Sequence, residues 1–167
     1  MIDPAYVRTM ARYNIWQNGN LFTAAETLSP DDRAADRGAF FGSIHGTLNH
    51  LLWGDQMWMS RFTDRPKPEI GIGDSGRLFA NWDDLARNRR ALDSEILAWA
   101  EGLDGAWLAG ELSWYSGATK REMTHRLADL VVHFFNHQTH HRGQVHAMLT
   151  AAGAHPDDTD LMLMSAE

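Results

Sequence analysis

Two histidines four residues apart, His137 and His141, interrupt an otherwise apolar stripe of Leu127, Leu130, Phe134, Val145 and Met148. On an α-helix each residue advances about 100°, so all seven side chains share one face. Imidazoles one turn apart on one face suit two ligands of a single metal ion. A lone histidine in such a place is more simply a hydrogen-bonded core residue. Two of them need partners for several polar nitrogens, and a shared ion satisfies one nitrogen on each ring.

A third ligand has to come from another helix. His50 has Gly46 four residues before it, Gly54 four after it and Ser43 seven before it. That trough of small residues leaves room around the imidazole, although the two glycines could equally serve close helix packing with His50 incidental. His45 points about 140° away and is the poorer candidate. Three neutral histidines would bind Zn²⁺, Ni²⁺, Co²⁺, Fe²⁺ or Mn²⁺ and leave positions for water or substrate, an open site and not a closed structural one. Gln138 stands where an HExxH helix carries its glutamate, which argues against a zinc protease.

Other polar residues flank these three. His133 precedes His137 by one turn and is either a further site residue or a neighbour, while His140 and His146 point elsewhere. Gln144 projects near the His137 direction and could meet ligand water or substrate. Arg142 lies beside the ligands or is solvated. Asp55 breaks an apolar stripe, either to accept a proton from a ligand histidine or to bond another helix. Of seven tryptophans, Trp53, Trp107 and Trp114 could line a pocket or an interface, with core packing the commoner fate.

The elements that must position these residues read as four helices. The first covers about 4–28, with Pro4 in its first turn. The second covers about 43–62, with Ile44, Leu48, Leu51, Trp58 and Phe62 on one stripe. The third covers about 79–101, where Arg89 completes a stripe of Trp82, Leu85, Leu92, Ile96 and Trp99. The fourth starts near Thr124 as N-cap and runs to about Ala152, stopped by Gly153 and Pro156. "LSPDDRAADRG" and "TDRPKPEIGIGDSG" read as loops, the second without structure of its own. "ELSWYS" can form a short strand, with a small hairpin around Gly117. The fold expected is all-α, a four-helix bundle forming a single domain over 1–167, with connections long enough to cross over or line a site.

Composition narrows the function. The formal net charge of −7 argues against nucleic-acid binding. The absence of cysteine removes disulfides, thiolate metal sites and a cysteine nucleophile. No secretory leader and no membrane-spanning run is evident, so a soluble cytoplasmic protein is expected.

"YNIWQN", "LNHLLWGDQMW", "HFFNHQTHHRGQVHAML" and "PDDTDL" follow one another along the chain. In that order they resemble the DinB-like superfamily. The resemblance implies a four-helix bundle and one divalent ion, zinc or nickel, held by His50, His137 and His141. It also implies a homodimer acting on a small-molecule substrate. Relatives include transferases and isomerases that use a low-molecular-weight thiol (mycothiol, bacillithiol or glutathione), and others described as metal-dependent hydrolases. A metal-dependent enzyme of the thiol-transferase type is the reading this favours. A hydrolase, or a non-catalytic metal-binding stress-response protein, is the alternative.

Overall fold

The computed structural model describes residues 2–117 and 119–165. Helix α1, Pro4–Glu26, starts at Asp3, whose carboxylate accepts from the Tyr6 N–H at 2.8 Å, with Pro4 in its first turn. A single turn, α2 (Pro30–Ala34), follows the Ser29 cap. Helix α3, Ile44–Phe62, starts behind Ser43, whose hydroxyl accepts from the Gly46 N–H at 2.9 Å. Helix α4, Trp82–Glu101, is capped by Asn81, and a short α5 spans Gly105–Leu108. Strands β1 (Glu111–Ser116) and β2 (Arg121–Arg126) pair antiparallel, Glu111 opposite Arg126. Helix α6, Leu127–Ala151, closes the bundle.

The four long helices α1, α3, α4 and α6 are those expected from periodicity, and the hairpin lies where "ELSWYS" placed it. The structure departs from the expectation at several points, among them the start of the last helix and the stretch after α3. Thr124 does not cap the last helix; it sits in β2 opposite Ser113, hydroxyl to hydroxyl at 2.7 Å. The ladder with β1 holds Arg121–Arg126 extended, so α6 begins only at Leu127, whose N–H donates to the Gly110 carbonyl at 2.9 Å. The stretch after α3 is also not structureless, because a 3₁₀ segment spans Ile72–Arg77.

Helix α1 packs on α4 and α6, and α3 packs on the same two. The ring order is therefore α1–α4–α3–α6. The connections from α1 to α3 and from α4 to α6 cross diagonals, which is why they are long. Inside lie Leu48, Leu52, Leu85, Leu92, Ile96, Phe134 and Leu149, all buried. Phe62 stacks on Trp99 at 5.4 Å between ring centroids, and Trp107 packs edge-on against both, so Trp107 belongs to this apolar layer. Among the described residues no helix is long and apolar enough to cross a membrane.

Charges also lie in this core. Arg89 of α4 donates to Asp55 of α3 at 2.6 Å and pairs with Asp93 at 2.8 Å. Asp93 accepts from Asn14 and Asn18 of α1, each at 2.9 Å, and Asn14 accepts in turn from Arg142 of α6. All six residues are buried. Buried charges persist only when paired, and here the pairing runs through all four long helices. Burial still raises the Asp55 carboxyl to about 6 against the opposing pull of Arg89.

Candidate metal centre

Helices α3 and α6 lie side by side and bring His50, His137 and His141 together. One ring nitrogen of each lies within 4.8 Å of the others. His50 Nε2 stands 3.3 Å from His137 Nε2. A tetrahedral ion about 2.0–2.1 Å from each imidazole nitrogen holds its ligand nitrogens about 3.3–3.4 Å apart, so this pair has the spacing of two such ligands. The rings crowd accordingly, with centroids 4.5 Å apart for His137 and His141 and 4.6 Å for His50 and His141.

Two of the rings are oriented from behind. His50 Nδ1 lies 2.8 Å from the Ser75 hydroxyl, which itself donates to the Ile72 carbonyl at 2.7 Å. With its one proton committed there, Ser75 accepts from His50 Nδ1–H, and His50 Nε2 keeps its lone pair. His141 Nδ1 lies 2.8 Å from Gln144 Oε1, and the Gln144 amide nitrogen faces His140 Nε2 at 3.2 Å. His141 Nδ1–H therefore donates to Gln144, which again leaves Nε2 free. This is the outer arrangement that fixes the tautomer of a metal-binding histidine. His137 differs: its buried Nδ1 has no partner among the described residues.

Burial disfavours the charged form of each ring. It pushes His50 down to about 4 and His137 to about 3, helped by the neighbouring imidazoles. His141 is lowered too, first by burial, although its bond to Gln144 opposes this. All three are neutral at pH 7, the state in which nitrogen lone pairs bind a cation. The cluster can therefore coordinate a metal ion.

The glycines flanking His50 serve other neighbours than the trough reading supposed. A Cβ on Gly54 would lie 2.7 Å from His137 Cε1, so Gly54 makes room for the imidazole of the facing helix. A Cβ on Gly46 would lie 2.3 Å from the Phe41 carbonyl oxygen, so Gly46 admits the loop before α3. The Phe41 ring then stacks on His50 at 3.7 Å between centroids.

The remaining candidates separate. His45 faces away and meets the Phe79 carbonyl at 2.8 Å. Asp55 touches no histidine; of its two readings, the bond to another helix is the one found. Arg142 is neither solvated nor at the cluster, being buried against Asn14. Gln138 is fully buried and turned into the bundle, so the protease-like position does not face the cluster at all. Gln144 meets the His141 ring, not that of His137. Ser75 went unforeseen, since a serine in a glycine-rich loop carries no periodic signal.

A cleft of about 760 Å³ opens over the cluster, with all three histidines in its wall. His133 lines it as well, its ring 6.2 Å from that of His137. So do Trp53 and Trp114, while Trp53 also donates its indole N–H to the Ile70 carbonyl at 2.9 Å.

The family model described as the DinB family matches residues 1–167. The chain belongs to the DinB family. No curated protein matches it. The segments that carry the likeness of this DinB-family chain have separate physical tasks. "YNIWQN" supplies Asn14 and Asn18 to the buried charge network. It also holds "PDDTDL", with Tyr13 O–H donating to the Thr159 carbonyl at 2.6 Å and Gln17 to the Asp158 carbonyl at 2.9 Å. "LNHLLWGDQMW" gives His50 to the histidine cluster and Asp55 to the network, and "HFFNHQTHHRGQVHAML" gives His137 and His141 to the cluster and Arg142 to the network.

Proposed function

We propose that this DinB-family chain is a metal-dependent enzyme acting on a small molecule, with one divalent ion, zinc or nickel, held by His50, His137 and His141. The observation that carries this reading is the cleft: three neutral imidazoles converge at the wall of an open cavity and not inside a sealed core. A structural ion would be enclosed by protein ligands, whereas a catalytic one keeps a position for substrate.

The chemistry a divalent ion supplies in such a place is Lewis acidity, which makes a thiol or a water more acidic at neutral pH. The chain's own residues do the rest. Ser75 and Gln144 hold protons at Nδ1 of His50 and His141, so their Nε2 lone pairs stay directed inward. Phe41 covers the His50 face and excludes water there. His133 is a neutral imidazole at the cleft wall, its pKa lowered by burial and then by Arg61, and able to accept a proton from a reacting group.

Within this class we favour transfer of a low-molecular-weight thiol to an electrophile, on the family resemblance. On the same ground we propose a homodimer, and from chain length and the lack of an evident leader or membrane-spanning run a single-domain, cytoplasmic protein, with sedimentation of the purified chain as the check on the dimer. The test of function is a panel of mycothiol, bacillithiol and glutathione with a haloarene, run on zinc-loaded, nickel-loaded and metal-stripped protein. Turnover with one thiol that vanishes on stripping and in His137→Ala supports the reading. Hydrolysis of ester or amide substrates without any thiol would replace transfer by hydrolysis. No turnover in either panel would leave a non-catalytic metal-binding protein.

A further inference from the structure

Arg61 lies in the last turn of α3 and lines the cleft that holds the three histidines. Its guanidinium carbon is 4.5 Å from the centroid of the Trp58 ring and 5.3 Å from that of Trp114. The side chain is half-buried. Among the described residues no carboxylate pairs with it, whereas Arg65, Arg77, Arg87, Arg89 and Arg126 each have one. Among the described residues no aspartate or glutamate lines the cleft. The cleft thus carries one fixed positive charge and no counter-charge of its own.

Apart from the histidines and Ser116 the wall is apolar and largely aromatic, with Phe41, Trp53, Met57, Trp58, Ile72 and Trp114. Ile72 is 60% exposed at the rim, an apolar surface without a neighbour to cover it. Arg61 follows His50 by eleven residues, a rise of about 16 Å along α3. Trp58 and His133 form the steps between, with ring centroids 5.0 Å apart, and His137 follows His133. The charged end and the histidine end of the cleft are therefore separated by a run of rings.

We propose that the cleft takes an elongated aromatic carboxylate, its carboxylate on the Arg61 guanidinium and its flat body along Trp58, Trp114 and Phe41. The far end of that body then reaches the histidines, and only this last point rests on the metal-site reading. A guanidinium recognises a carboxylate through two parallel N–H···O bonds, stronger than bonds between neutral groups. Held over the Trp58 ring and beside that of Trp114, it is kept in place for that contact with little rotamer freedom left to lose. The same stacking would arise from packing alone if Arg61 only covered the tryptophans, so the test must read charge and not mere binding.

Naphthalene-2-carboxylate and its neutral amide, naphthalene-2-carboxamide, share one body and differ in charge. Their dissociation constants are measured by calorimetry on zinc-loaded and zinc-free protein. The carboxylate is expected to bind about tenfold more tightly than the amide or better, with and without zinc. Arg61→Met, or Arg61→Gln should the first fold poorly, brings the two within about twofold while the amide's constant hardly moves. Arg61→Lys keeps part of the preference. Equal binding of both probes to the wild-type protein, or binding of neither, overturns the proposal. So does an equal loss of both in Arg61→Met and Arg61→Gln, which is what a packing role would give. A preference that is lost when zinc is removed but survives Arg61→Met in the zinc-loaded protein would put the carboxylate on the ion, ending the Arg61 proposal and leaving the metal reading intact. Conversely, failure of the histidines to hold zinc would end that reading, while the Arg61 preference remains measurable in the zinc-free protein.

Discussion

Gly54 of α3 sits so close to His137 of α6 that a Cβ there would stand 2.7 Å from the imidazole Cε1. The ring can escape only by rotating or by moving its helix, and either takes Nε2 away from its place 3.3 Å from His50 Nε2. Gly54→Ala is therefore expected to weaken zinc binding by about tenfold or more, a loss comparable with that from disturbing the residues around a metal ligand. Competition with a coloured chelator measures this, with far-UV circular dichroism to show that the helices persist. Unchanged affinity would mean that the close approach of Gly54 does not hold the His137 ring in its place.

Ser75 and Gln144 fix two of the three rings. Ser75→Ala frees His50 Nδ1 and Gln144→Ala frees His141 Nδ1. Each is expected to cost about 10- to 100-fold in metal affinity with little change in thermal midpoint of the metal-free protein. Gln144→Glu should act in the opposite direction, because a carboxylate acceptor makes the imidazole a better donor to a cation. Isothermal titration of zinc into the three variants would show both signs. Affinities all within twofold of wild type would defeat the assignment.

Arg89→Met strands Asp55 and Asp93 together in the core. Breaking one side of a buried pair typically destabilises by about 3–5 kcal/mol. Urea denaturation of the metal-free protein should show a loss of that order. Replacing Asp55, Asp93 and Arg89 together by apolar residues of like volume should recover much of it. A triple variant no more stable than Arg89→Met would show that the network does more than balance its own charges.

The pH dependence has a definite sign. His50 and His137 titrate near 4 and 3 in the folded chain, below the ordinary 6.5, because burial penalises their charged forms. Their contribution to stability is complete above pH 6.5 and is lost as pH falls through the folded values. Asp55 works the other way: raised from 3.8 to about 6, it gives stability below 3.8 that is lost as pH rises through 6. The difference between wild type and His50→Gln isolates the histidine share. In the metal-free proteins the denaturation midpoint of wild type should fall more steeply between pH 6.5 and 4 than that of His50→Gln. Parallel curves would contradict the depressed pKa.

Periodicity made the four helices and the convergence of His50, His137 and His141 legible, since a stripe that carries imidazoles in place of leucine is visible without coordinates. Arg89 and Asp55 were visible in the same way, as charges on apolar stripes, although the stripes do not say that they face each other. What lay hidden depends on distance along the chain. Ser75 reaches His50 only because the Ile72–Arg77 turn folds back over α3. Gly54 was read as space for His50, its own neighbour on the helix, when the space is filled from α6. Thr124 had the chemistry of a helix cap, and strand pairing to a segment eleven residues earlier overrode it. Local preference lost in each case to a partner that sequence spacing does not reveal.

Residues of the cleft wall alternate with residues locked in the interior. Gly54 precedes Asp55, His137 precedes Gln138, and His141 precedes Arg142. One member of each couple faces the cleft and the next is locked in the interior. A shift of either helix by a single residue would bring a charge to the cleft and an imidazole to the core at once. The bundle therefore holds the imidazole spacing whether or not an ion is bound. A socket so held would favour cations whose size and preferred geometry match its spacing.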